Sequence, residues 1–214
     1  MVLGMAPGLR ERRKQETRQA ISDIATQMFV DRGFGQVTIA EVAEAAGVAK
    51  MTVTNYFPRK EDLVFDRAEA VERHLADVIA ARAPGESMLA SVRRDYAEAI
   101  ARADVTLGLS SPAFAAMIVS SPVLVGRARE MLDRREQALG DAIAAEAGTD
   151  GPRERLVAAL LASVHRVLAA EASRRSLAGQ SREQICAVLA GAATRAFDLL
   201  EPSLGGYGIR APAG

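Results

Sequence analysis

The sequence predicts an all-α protein with an N-terminal three-helix head and a larger C-terminal helical body. Three observations lead there. Apolar residues recur at helical spacing along nearly the whole chain, and no stretch alternates convincingly as a strand would. Gly and Pro collect at a few points between those stretches and punctuate them. At 214 residues the chain can bury a sizeable core in one or two domains.

The first helix is expected near 11–32, with Ile21, Ile24, Ala25, Met28 and Phe29 on one face. The second is expected over 39–46. Thr38 opens it through a capping box with Glu41, and Ile39, Val42, Ala43 and Ala46 form its apolar face. Gly47 stands where a helix end often needs left-handed backbone, and Val48 is an apolar residue in the turn. A short third helix, 50–56, packs back through Val53, Tyr56 and Phe57, and Pro58 stops it. This is a helix-turn-helix. The next helix, near 60–82, carries Leu63, Val64, Ala68, Val71, Leu75, Val78 and Ile79 as one stripe. It reads as a continuous link from head to body.

Further helices are expected near 86–103, 112–119, 122–147, 152–176 and 181–200. Pro84-Gly85 and Gly148–Pro152 separate them from their neighbours. Ser111-Pro112 and Ser121-Pro122 each place a capping hydroxyl before a proline at the first helical position. Ser181 with Gln184 makes another capping box. The expected boundaries are a head over 1–60, a body over 61–201 and a flexible Gly/Pro-rich tail over 202–214.

Charge supports that division. The chain holds 27 basic and 27 acidic residues, but residues 1–60 carry 9 Lys/Arg against 6 Asp/Glu, a balance of +3. The positive excess sits with the helix-turn-helix, as phosphate contacts require. A zero total argues against indiscriminate coating of nucleic acid. The single cysteine, Cys186, excludes an internal disulfide framework and suits a reducing cytoplasm. The N-terminal residues lack the pattern of a signal peptide. The nearest thing to a membrane span is the uncharged stretch Val105–Gly126, which Pro112, Pro122, Gly108 and four serines interrupt, so no membrane association is expected.

On the third helix, Ala49, Lys50, Met51, Thr52, Thr54 and Asn55 form a small, polar and cationic outward face. Such a face suits the major groove of DNA. Lys50 can donate to guanine O6/N7, and Thr or Met methyl groups can touch a thymine methyl. Thr38, Thr52, Tyr56 and Lys60 offer hydroxyl, phenol and ammonium groups for phosphate oxygens. Two readings stay open for Tyr56: a phosphate ligand, or a core aromatic with its hydroxyl in solvent. Arg12, Arg13, Lys14 and Arg18 could add phosphate contacts, although a charge run is usually a solvated face.

The pattern from Arg13 to Leu63 resembles the DNA-binding domain of the TetR/AcrR family of bacterial transcriptional regulators. It includes the run GFGQVTIAEVAEAAGVA and the ending NYFPRKEDL. The resemblance covers about the first third of the chain. It implies base contacts at Lys50, Met51 and Thr54 and phosphate contacts at Thr38, Thr52, Tyr56 and Lys60. Thr54 departs from the bulky aromatic common there in the family, and Ala40 lacks the long side chain some members use.

In the body, Met88, Leu89, Val92, Tyr96 and Ile100 line one helix face. The uncharged stretch adds Leu107, Leu109, Phe114, Met117, Ile118, Val119, Val123 and Leu124. Most of these read as plain core. Still, an uncharged stretch broken twice at Ser-Ser-Pro suits a poorly hydrated cavity, so Met88, Val92, Tyr96, Leu107, Phe114, Met117 and Ile118 are candidates for holding a small apolar ligand. His74 and His165 lack metal-ligand spacing, and no metal or cofactor is expected. The last two helices carry long apolar faces that two copies could join into a four-helix bundle.

These features together predict a ligand-responsive, homodimeric repressor of a palindromic operator, released by a small apolar molecule, and not an enzyme. The alternative is a ligand-independent DNA-binding regulator controlled by a protein partner.

Overall fold

The computed structural model describes residues 8–149 and 151–211. The elements are helical: α1 (Leu9–Arg32), α2 (Ile39–Ala45), α3 (Lys50–Tyr56), α4 (Ala68–Ala80), α5 (Met88–Ala101), α6 (Pro112–Ser120), α7 (Pro122–Ala147), α8 (Pro152–Leu177) and α9 (Arg182–Leu204). Short 3₁₀ turns lie at Phe34–Gln36, Lys60–Leu63 and Val105–Leu107. The expected caps form. Ser111 Oγ accepts from the Phe114 amide at 3.2 Å, Ser121 Oγ from Leu124 at 3.4 Å, and Ser181 closes a full box with Gln184.

The chain separates into two compact units. The first is the chain up to Ala68 together with Met117–Arg127; the second is Glu69–Ala116 with Ala128 onward. In the first unit Ile21, Ala25 and Phe29 of α1 share a dry interior with Val42, Val53, Phe57 and Leu63. Arg127 reaches this unit's Asp62, its Nε donating to Oδ1 at 3.0 Å with both side chains largely buried. In the second unit Leu75, Leu89, Val92, Leu139, Leu161, Leu189 and Phe197 bring α4, α5, α7, α8 and α9 onto one core.

The single helix expected near 60–82 is interrupted. Lys60–Leu63 is a 3₁₀ turn and α4 starts only at Ala68. The cause is competition for carbonyls. Ser22 Oγ donates to the Leu63 carbonyl at 2.9 Å, and Arg18 Nη2 to that of Asp66 at 3.0 Å. Both acceptors lie where an uninterrupted helix would need them. The segment is therefore tied to α1 and is not one continuous rod.

The other differences lie at the C-terminus and in α8. α9 runs through Pro202 to Leu204. The residues beyond it, expected to be a flexible tail, are hydrogen-bonded into the second unit. The Gly85 amide donates to the Arg210 carbonyl at 2.8 Å and the Arg210 amide to that of Glu86 at 3.1 Å. Residues 212–214 of that tail lie outside the described residues. By length and composition α8 would suit a bilayer, with a mean hydropathy of 1.4 over its most apolar window. Its Leu161, Val164 and Leu168 stripe instead belongs to the body core.

Gly108 shows how tightly the loop after α5 meets α8. Its φ is +85°, and an added Cβ would stand 2.8 Å from the Ala169 carbonyl oxygen. Neither the left-handed backbone nor the helix carbonyl can yield cheaply. Gly108→Ala should cost about 2 kcal/mol, lowering Tm by roughly 4–8 °C in a scanning melt. A Tm unchanged to within a degree would refute the close approach.

Candidate nucleic-acid interface

The interface begins with the cap of α2. Thr38 Oγ1 accepts from the Glu41 amide at 3.2 Å, while Glu41 Oε2 accepts from the Thr38 amide and hydroxyl, both at 2.8 Å. Arg32 also donates to Glu41 at 2.5 Å. This pairing with Arg32, reinforced by Thr38, holds the Glu41 carboxyl down at about 2. The cap thus stays charged and formed through ordinary pH. Gly47 turns the chain with φ +65°, and the Val48 amide closes back on the Ala43 carbonyl at 2.9 Å. Val53 and Phe57 are fully buried, which fixes α3 against α1 and α2 and decides which face looks outward.

That face carries most of the expected residues. Lys50 and Asn55 are exposed, and Met51 is 70% exposed, a large apolar side chain with nothing over it. Thr52 is half-buried. Thr54 bends its hydroxyl back to the Met51 carbonyl at 3.1 Å, so what it presents outward is chiefly its methyl group. Thr38 is exposed but already engaged in its cap. Tyr56 is half-buried and shares an open basin of about 620 Å³ with Arg10, Arg13, Lys14 and Thr17 of α1.

Two cations stand elsewhere than the sequence suggests. Lys60, expected at a phosphate, donates to the Phe34 carbonyl and lies 4.4 Å from the centre of the Phe34 ring and 5.4 Å from that of Phe29. Burial lowers its pKa, opposed by Glu41 and Glu61. It braces the turn between α1 and α2. Arg18 donates to the Tyr56 carbonyl at 2.6 Å and stacks on Phe57 at 4.4 Å. It too is a brace inside the head. Nothing in their local sequence marks either role, because the acceptors lie 26 and 38 residues away.

Known proteins agree with this geometry. Residues 21–66 match the model of the bacterial regulatory proteins of the tetR family. The head of this chain thus matches the DNA-binding domain of tetR-family bacterial regulatory proteins. The chain is 26% identical over 173 residues to the HTH-type transcriptional regulator TcmR of Streptomyces glaucescens, covering 77% of this chain and 76% of TcmR. The fold of the regulator also resembles two solved structures. One is NalD, the secondary repressor of the MexAB-OprM multidrug efflux pump in Pseudomonas aeruginosa, at TM-score 0.52 and 16% identity over 86% of this chain and 97% of NalD. The other is a SmeT–triclosan complex, at TM-score 0.54 and 16% identity over 94% and 97% of the two chains. Curated relatives that this chain matches, TcmR among them, are HTH-type transcriptional regulators.

In the regulator's body the expected ligand-holding residues do not gather in one place. Met88, Val92, Tyr96 and Leu107 enter the body core. Phe114 belongs to the same unit but is half-buried outside that core, while Met117 and Ile118 group with the head unit. The division falls within α6, between Ala116 and Met117, so the uncharged stretch is shared between the two units. Sequence reasoning did not anticipate a polar cluster in the body. His165 of α8 packs edge-on against Tyr96 at 5.0 Å, and His74 Nε2 meets Asp95 Oδ2 at 2.7 Å. Among the described residues no group of three acidic, His or Cys side chains could hold a metal.

Burial, helped by the positive charge of Arg135 and opposed by Asp95, pushes the His165 pKa down to about 3 from 6.5. The folded state therefore holds a neutral imidazole that the unfolded chain would protonate. This contribution to stability is complete above pH 6.5 and is lost as pH falls from there toward 3. Denaturant titrations between pH 6.5 and 5 should show a slope approaching 1.4 kcal/mol per pH unit, about the most one proton can give. His165→Gln should flatten it. An unchanged slope in that variant would place the proton uptake elsewhere.

Proposed function

We propose that this regulator binds a palindromic operator as a homodimer, represses the genes beside it, and is released by a small, mainly apolar molecule held in the body. The head reads the operator in the cytoplasm, with Lys50, Met51, Thr54 and Asn55 toward base edges and Thr38, Thr52 and Tyr56 toward phosphates. Arg13 and Lys14 of α1 join the phosphate set. The carrying observation is the outward face of α3: an exposed Lys50 and Asn55 flank a 70% exposed Met51 that no core residue covers. The body, essentially the span 61–201, binds ligand and dimerises. Support comes from NalD, a secondary repressor of an efflux pump, and from SmeT, solved with triclosan.

The test is selection of bound fragments from sheared genomic DNA by the purified protein, at physiological salt with excess non-specific competitor, because low salt lets any basic head bind. An enriched palindrome is expected, and Lys50→Ala should weaken its binding roughly 5–150-fold, the range for one good base contact. No enrichment, from protein refolded free of any bound molecule, would overturn the reading. Thermal-shift screening with hydrophobic compounds then separates ligand release from control by a protein partner.

A further inference from the structure

The body core contains buried polar atoms that the fold itself does not use. Among the described residues Tyr96 Oη and His165 Nε2 have no hydrogen-bond partner, although the two residues are 1% and 7% exposed. An unsatisfied buried polar group costs stability, so folds seldom keep two on touching rings without a reason. Desolvation raises the Tyr96 pKa, keeping the phenol protonated, and His165 is neutral. The Tyr96 hydroxyl can therefore donate to an acceptor, and so can His165 Nε2 in the tautomer that carries its proton there. Arg135 of α7 stands in the same region. It is 5% exposed, its Nε donates to the Val71 carbonyl at 3.1 Å, and it forms no ion pair among the described residues. Asp95, which acts on it from a distance, is engaged by His74.

Space adjoins one of these three groups, Arg135. A cavity of about 120 Å³ lies between α7 and α8, lined by Arg135 together with Ala162 and Arg166, the α8 neighbours of His165. Asp133 and Glu136 also line it, so its formal charges sum to zero. Recognition there rests on hydrogen bonds more than on net field. The volume suits a compact group of a few heavy atoms and not a whole drug-sized molecule.

We propose that Tyr96, His165 and Arg135 form an oxygen-binding subsite, which anchors the carbonyl or carboxylate end of the body's otherwise apolar ligand. This rests on the reading that the body binds a small molecule. It adds the chemical class: the effector carries a hydrogen-bond-accepting oxygen. Toluene-like hydrocarbons lack the group that makes it specific.

The test uses the full-length protein and three probes of similar shape: toluene, acetophenone and benzoate. The chain has only two histidines, so the His165 imidazole can be followed by NMR and assigned with His74→Gln. Acetophenone or benzoate should shift the His165 signals and toluene should not. The tighter of the two identifies a neutral carbonyl or an anionic carboxylate as the preferred end. Tyr96→Phe should weaken that probe about tenfold, the value of one hydrogen bond, while Tm holds or rises because an unpaired hydroxyl is removed. Arg135→Lys, which keeps the charge but loses the planar fork, should weaken it similarly.

If all three probes shift core methyl signals alike and leave His165 unmoved, the body binds small molecules but the oxygen subsite does not exist. If no probe shifts any body signal, both this subsite and the ligand reading fall. Unaltered probe affinity in Tyr96→Phe would also overturn the proposal, leaving a cavity that water alone fills.

Discussion

Leu199→Glu is expected to leave the regulator folded, make it monomeric, and reduce its operator affinity by roughly 10²–10⁴-fold, the usual worth of linking two weak heads. Leu199 is 80% exposed, and Val167 and Leu156 of α8 are 64% and 59% exposed. Large aliphatic side chains left in water at this density mark an interaction face. The opposite stripe of each helix, including Leu161, Leu168, Ile185 and Leu189, is already spent on the body core. α8 and α9 thus carry two apolar faces but bury only one within the chain. In the proposed homodimer a second copy would supply the other half of a four-helix arrangement. A carboxylate at position 199 would have to be desolvated in that joint but costs nothing in the monomer. Light scattering reads the mass, circular dichroism the fold, and operator titration the affinity. A Leu199→Glu protein that still dimerises would remove this face from consideration.

Much of the head was legible because its signals are local. Thr38 and Glu41 lie three residues apart, and the box they make in the sequence is the box in the structure. Gly47 takes the positive φ that its place after α2 suggests. The body's helix starts at Ser111, Ser121 and Ser181 follow the same short-range rule. What escaped the sequence depends on partners far along the chain. The break before α4 is imposed by Ser22 and Arg18, 41 and 48 residues from the carbonyls they capture. Lys60 looks like a free cation until Phe34 folds beneath it. The uncharged stretch after α5 looked like one pocket wall, yet Arg127 pairs with Asp62 at 65 residues' separation, and Met117–Arg127 groups with the head. Hydropathy could not reveal this division, since Leu107 and Met117 are equally apolar.

The same long-range logic governs the C-terminus, where Arg82→Ala should be the most destabilising single change in the body. The Arg82 side chain is 1% exposed. Its Nε donates to the Gly208 carbonyl at 3.0 Å, Nη1 to Ile79 at 2.5 Å and to Glu146 at 2.9 Å, and Nη2 completes a forked pair with Glu146. Arg210 adds a second tie, donating to the carbonyls of Ala80 and Arg82 at 2.7 and 2.8 Å. Truncation to alanine empties a buried volume and strands two carbonyls, at about 3–5 kcal/mol together. For a chain of this size that is a Tm loss of roughly 6–20 °C. Glu146 is 43% exposed and can return to water, so losing the ion pair is not the main cost. It follows that Arg82→Met, which keeps the volume, should recover about half of the lost stability, whereas Glu146→Gln should cost little. It also follows that residues 205–211 should become cleavable in Arg82→Ala before the body unfolds, because Gly208 loses its tether. If Glu146→Gln instead matches Arg82→Ala, charge pairing and not packing would be what holds the end of the chain.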